Sequence, residues 1–85
     1  MPTLLEAVEV GLDQIYVPAR LRAGLDAKKV ESIAESIIVN GLQTPIQVRR
    51  DKERYVLVAG LHRLEAVRAL GEAVVRAYIV RAPQH

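Results

Sequence analysis

Cysteine, phenylalanine and tryptophan are all absent from this 85-residue chain. Without cysteine there is no disulfide framework, no thiolate metal site and no thiol chemistry. The aromatic complement is Tyr16, Tyr55 and Tyr78, so any core is built from Val, Ile, Leu and Ala. Apolar runs are short as well. None approaches the ~20 residues that a membrane span needs, and no charged-then-apolar leader pattern opens the chain. A cytoplasmic protein without membrane contact is the expectation. The two histidines, His62 and His85, do not combine with acidic residues at metal-ligand spacing. No metal site is expected from the protein's own side chains.

What is present is a hydrophobic fraction of 51% with 26% charged residues, a balance that favours a folded core over disorder. The length allows one domain, given a usual size of roughly 100–200 residues. We expect a single domain over residues 1–85, with its core at about 5–80 and a frayed tail at 81–85. Net charge is only +2, but it is unevenly spread. Residues 1–45 carry four basic and six acidic side chains, whereas residues 46–85 carry eight basic and four acidic ones. Seven of those eight are arginine, the side chain best shaped for bidentate contact with phosphate or carboxylate.

Local patterns give the order of elements. Val8–Val10 and Ile15–Val17 read as short extended pieces, with Gly11 and Pro18 as breaks. Pro18 to Leu25 reads as a basic loop carrying Arg20 and Arg22. Asp26 is a plausible N-cap for a helix running to about Val39. Within it Val30, Ile33, Ala34, Ile37 and Ile38 form one apolar stripe. Asn40-Gly41 supplies the stop, with Leu42 folding back on the last turn. Ile46 and Val48 alternate with Gln47 and Arg49 as in a half-buried strand. A charged turn at Asp51–Arg54 leads into an apolar strand, Tyr55–Ala59. A second helix follows from about Leu61 to Leu70, closed by Gly71, and a β-branched strand covers Ala73–Val80. These elements predict an α+β domain, a mixed sheet of about four strands packed with two or three helices.

The junction Ala59-Gly60-Leu61-His62-Arg63 is the most informative stretch. A strand that turns through glycine into a helix presents unpaired backbone N–H groups and the positive end of the helix dipole to an anion. Gly60 permits the sharp turn and a close ligand approach. Arg63, and His62 when protonated, stand where the dipole disfavours cations by roughly 0.3–1 kcal/mol each. A bound phosphate reverses the sign of that cost. On the first helix Lys29, Ser32 and Ser36 recur at i, i+3 and i+7, an ammonium and two hydroxyls suited to phosphate or ribose oxygens. Arg20, Arg22, Arg49, Arg50 and Arg54 are candidates for contact with DNA phosphates. Neither a helix-turn-helix nor an aromatic stacking platform accompanies them.

Two stretches carry a family resemblance. Gly41-Leu42-Gln43-Thr44-Pro45-Ile46-Gln47-Val48-Arg49, followed by Tyr55 to Gly71, resembles the N-terminal domain of ParB proteins with its glycine–arginine box. Leu25 to Ile37 resembles the first helix of sulfiredoxin, and Gly60-Leu61-His62-Arg63 resembles the Gly-Cys-His-Arg motif of that family. Coverage is about residues 5–80. The resemblance implies a ParB/sulfiredoxin-like fold and a nucleoside triphosphate site for ATP or CTP, with Mg2+ as a candidate companion. Lys29, Ser32, Ser36, Gly60, His62 and Arg63 match its positions, Ser36 standing where sulfiredoxin has threonine. It further implies a role in DNA maintenance, partition or regulation in bacteria, with DNA and a second copy of the chain as candidate partners. Leu61 replaces the catalytic cysteine of sulfiredoxin, which excludes sulfinic-acid reduction. It also replaces a glutamate of the ParB box, which removes support for CTP hydrolysis. ParB proteins continue into a second nucleotide motif, a helix-turn-helix and a dimerisation segment. A nuclease or phosphotransfer enzyme on this fold is an alternative, with Glu65 the nearest candidate base. A DNA-binding or protein-interaction module with a vestigial pocket is another.

Overall fold

Alternating apolar residues at Ile46/Val48 and Val75/Ala77, each 3% exposed or less, call for a sheet with one face on a core. The computed structural model describes residues 6–41 and 44–81. Among them the strands are β1 (Val8–Gly11), β2 (Ile15–Tyr16), β3 (Ile46–Asp51), β4 (Arg54–Ala59) and β5 (Val74–Ile79). The helices are α1 (Ala19–Arg22), α2 (Ala27–Asn40) and α3 (Leu61–Ala69), and a 3-10 turn at Leu12–Gln14 joins β1 to β2. The strands form one mixed sheet in the order β1-β5-β3-β4-β2.

β3 and β4 make an antiparallel hairpin, β1 and β5 are antiparallel, and β3 with β5 and β2 with β4 are parallel. The parallel β3–β5 pair requires a crossover, which α3 supplies between β4 and β5. Its residues Leu64, Ala66 and Val67 are buried. Leu64 and Val67 join Val10, Ile46, Val48, Leu57, Val75 and Ala77 in the core.

The sheet has five strands where about four were expected, because Ile15 and Tyr16 pair in parallel with Tyr55 and Val56. A two-residue strand declares no pattern of its own in sequence. The basic loop at Pro18–Leu25 also needs correction. Pro18 takes the N-cap position of α1, and its carbonyl accepts from Leu21 and Arg22 at 3.0 and 3.1 Å. Half-buried Leu21 packs against the core, which gives this turn a reason to be helical despite its short length.

α2 starts and stops as expected. The Asp26 carboxylate accepts from Lys28 N at 2.9 Å, and Gly41 ends the helix at φ 76° while donating to the Ile37 carbonyl at 2.8 Å. The fold-back of Leu42 and the tail at 82–85 lie outside the described residues. The apolar stripe is narrower than read. Val30, Ile33, Ala34 and Ile37 are half-buried, whereas Ile38 is 70% exposed. α2 lies on α3, which itself lies on the sheet. One slim helix covers less of its neighbour than a sheet would, and Ile38, 100° around from Ile37, falls outside the contact.

Gly60 sets the height of α3 above the sheet. Its φ is 104°, and a Cβ built there would lie 2.7 Å from Ile46 Cγ2 and 2.9 Å from Ile46 Cβ. Left-handed strain and overpacking each contribute about 1–3 kcal/mol. Gly60→Ala is therefore expected to lose at least about 2 kcal/mol of stability, read as a lower midpoint in chemical denaturation with little change in slope.

Candidate functional site

The start of α3 is built from this same glycine. The chain enters the helix without a side-chain cap, and the first turn holds no acidic residue. The Gly60 carbonyl accepts from Leu64 N at 2.9 Å, the first bond of the helix. The N–H groups of Leu61, His62 and Arg63 precede any intrahelical acceptor, and the positive end of the dipole falls on them. All three residues are half-buried. Leu61, which replaces the sulfiredoxin cysteine, packs against the core.

Arg63 has no carboxylate within 4 Å among the described residues, where the ion pairs are Arg54–Asp51 at 3.4 Å and Arg68–Glu65 at 3.5 Å. Arg63, half-buried as a residue and without a carboxylate within 4 Å among the described residues, belongs to the same turn as the uncapped N–H groups, which brings donors and positive charge to that turn. That is the chemistry of an anion receptor.

His62 enters this site differently from the protonated side chain weighed in sequence. Its Nε2 accepts a hydrogen bond from Asp26 N at 3.0 Å. A nitrogen that accepts carries no proton, so the ring here is neutral, with its hydrogen on Nδ1. The bond joins the first turn of α3 to the N-cap of α2. Asp26 is thereby used three times: its amide meets His62, its carboxylate caps Lys28, and its carbonyl accepts from Val30 N at 3.1 Å. Sequence reasoning found Asp26 only as a cap, because nothing local announces a partner 36 positions away.

The site residues read from sequence divide accordingly. Gly60, His62 and Arg63 are assembled at one turn, and the first turn of α2, with Lys29, is tied to it through Asp26. Ser32 and Ser36 lie farther along the exposed side of α2. Ser32 lines a shallow cavity of about 330 Å3 with Lys28, Glu31 and Glu35, and Ser36 Oγ accepts from Asn40 Nδ2 at 3.1 Å. Glu65 forms an ion pair with Arg68 and lines a groove with Leu25, Ala27, Val30, Arg68 and Ala69.

The five arginines considered for DNA do not form one surface. Arg20 and Arg22 are exposed on α1, whereas Arg49, Arg50 and Arg54 belong to the β3–β4 hairpin. Arg54 is committed locally, stacked on Tyr16 at 4.3 Å and paired with Asp51. Among the described residues no group of three or more histidine and acidic side chains is placed to hold a metal ion. No helix among them is long and apolar enough to cross a membrane.

The mixed five-stranded sheet and the strand–glycine–helix turn define a small α+β domain of the sulfiredoxin kind. Sulfiredoxin from Arabidopsis thaliana superposes with a TM-score of 0.79 at 34% identity, over 91% of this chain and 86% of that one. The family model for the ParB N-terminal domain matches residues 4–85, and the chain belongs to that family. A protein named as a probable chromosome-partitioning protein ParB from Campylobacter jejuni is 35% identical over 75 residues, 87% of this chain. The chain spans 27% of the length of that relative. The C-terminally truncated chromosome-partitioning protein ParB from Caulobacter crescentus, complexed with CTP-gamma-S, shares the fold. Its TM-score is 0.77 at 23% identity, over 92% of this chain and 46% of that one.

The Asp26–His62 bond is expected to be a measurable strut. His62→Ala should lower stability by about 1 kcal/mol and speed hydrogen exchange at the Asp26 amide. His62→Gln, which keeps an acceptor, should restore most of that protection.

Proposed function

We propose that the start of α3 binds the phosphates of a nucleoside triphosphate, and that the domain serves DNA partition in the bacterial cytoplasm. The observation that carries this reading is the half-buried Arg63 with no carboxylate near it, standing over a first turn with neither cap nor acid. A phosphate group would satisfy both the guanidinium and the exposed N–H groups. The Caulobacter ParB bound to CTP-gamma-S and the partitioning relative support the ligand class and the setting.

In this reading Arg63 grips phosphate oxygens with two parallel N–H bonds, and the backbone after Gly60 adds further donors. His62 donates from Nδ1 while Nε2 stays on Asp26, so it serves as a neutral donor. Lys29 adds charge from α2. Ser32 and Ser36, on the exposed side of α2, would contribute hydroxyls to ribose or outer phosphate oxygens, Ser36 after release from Asn40. Mg2+, where required, would be held chiefly by the phosphates. Glu65, the nearest candidate base, is paired with Arg68 at 3.5 Å.

A hydrogen bond to a charged group contributes roughly 1.5–3 kcal/mol, and about 1.4 kcal/mol is tenfold in affinity. In calorimetric titrations with CTP and with ATP, Arg63→Ala should weaken binding by about tenfold or more without altering the melting transition. Equal affinity of the two proteins would remove the site.

A further inference from the structure

α2 is a long helix on a light hold. None of its 14 residues is fully buried. Every residue from Arg22 to Lys29 is exposed, and the first half-buried residue of the helix is Val30. Ahead of Val30, the polar tie between the start of α2 and the rest of the fold is the bond from Asp26 N to His62 Nε2. Among the described residues the other side-chain hydrogen bonds span four positions or fewer. This one spans 36 and joins two helices.

Its acceptor is a titratable atom. Imidazole takes up a proton at about pH 6.5, and in that form both ring nitrogens are donors. A hydrogen on Nε2 would face the Asp26 N–H across 3.0 Å, donor against donor. The bond therefore exists only with the neutral ring. His62 is half-buried, so protons reach it from solvent.

The surroundings offer the charged ring no replacement. On α3 the neighbouring charges are Arg63 and Glu65, and Glu65 is paired with Arg68 at 3.5 Å. At the start of α2 they are Asp26, Lys28 and Lys29, with the Asp26 carboxylate on Lys28 N. α1 adds Arg20 and Arg22, and Ala23-Gly24-Leu25 between the two helices carries no charge. The strands beneath α3 present Ile46, Val48, Leu57, Val75 and Ala77. No carboxylate lies within 4 Å of the ring among the described residues, which include every Asp and Glu of the chain. The dipole of α3 opposes a cation at this turn as well. Protonation thus removes the acceptor and supplies no acid in exchange.

We infer that His62 is a proton-operated latch on the start of α2. Neutral, it holds the first turn of α2, Lys29 included, to the α3 turn. Protonated, it releases that turn, while half-buried Val30, Ile33, Ala34 and Ile37 keep the rest of the helix on α3. The latched form holds one proton fewer than the released form, so latching strengthens as pH rises through the imidazole range and is lost as pH falls. The latch does not rest on nucleotide binding, and its test uses no nucleotide.

The test is NMR of the isotope-labelled full chain from about pH 8 to about pH 5.5, which stays above the ordinary carboxylate range. At the alkaline end the His62 ring should be the Nδ1–H tautomer. As the ring takes up its proton, exchange protection at the Asp26, Lys28 and Val30 amides should fall together, after correction for the intrinsic effect of pH. The expected loss is roughly fivefold, the worth of one hydrogen bond. The Leu64 and Val80 amides, bonded within α3 and the sheet, should keep their protection. His62→Gln, whose acceptor does not titrate, should hold the start of α2 equally well at both ends, and His85→Gln should behave as the wild type. An Nε2–H tautomer at the alkaline end, a ring still neutral at the acid end, or α2 protection that outlasts protonation of the ring would each overturn the latch. A pH response that survives in His62→Gln would also overturn it, by assigning the response to another group.

Discussion

Everything in this fold passes through the contact of Gly60 with Ile46. The glycine lies so close to the side chain above β3 that even one added carbon would collide. That closeness lets β4 turn at once into α3, which sets Leu64 and Val67 into the core beside Ile46 and Val48. α3 in turn is the surface on which α2 rests. The same turn leaves the helix start uncapped, since glycine has no side chain to offer its N–H groups. Packing of the core and exposure of the anion receptor are consequences of one backbone geometry. A substitution there cannot alter one without altering the other.

The Asp26–His62 bond changes how the charge of this site is understood. Two cations in a helix's first turn would each be opposed by the dipole, at roughly 0.3–1 kcal/mol. With Nε2 accepting from a backbone amide, His62 is no cation in this arrangement. The unanswered charge belongs to Arg63 alone. The histidine instead holds the beginnings of α2 and α3 together, and it keeps one N–H for another partner. Sequence could show that the residue was unusual in that position, but only the neighbouring helix shows its role.

What could be read in sequence was local. Asp26 as a cap, Gly41 as a stop, the alternation of Ile46 and Val48, and the glycine entry to α3 all follow from the residues involved and a few neighbours. What escaped depended on partners far along the chain. Ile15–Tyr16 became a strand because β4 lay beside it, and residues 19–22 became helical because Leu21 had a core to meet. Helical phase correctly grouped Lys29, Ser32 and Ser36 on one side of α2. Phase does not reveal what a side confronts, and here that side is solvent, with Ser36 occupied by Asn40.

A net charge of +2 gives little hint of an anion-binding protein, and the reason is spatial. Asp51 and Glu65 are spent within their own elements on Arg54 and Arg68. Asp26 caps its own helix. These acids lower the total without reaching Arg63. Neutralised pairs contribute little field beyond their immediate surroundings, and salt screens what remains over about 8 Å at physiological ionic strength. An incoming phosphate therefore responds to the arginines that have no acid beside them, and the sum over the whole chain is the wrong measure of what it meets.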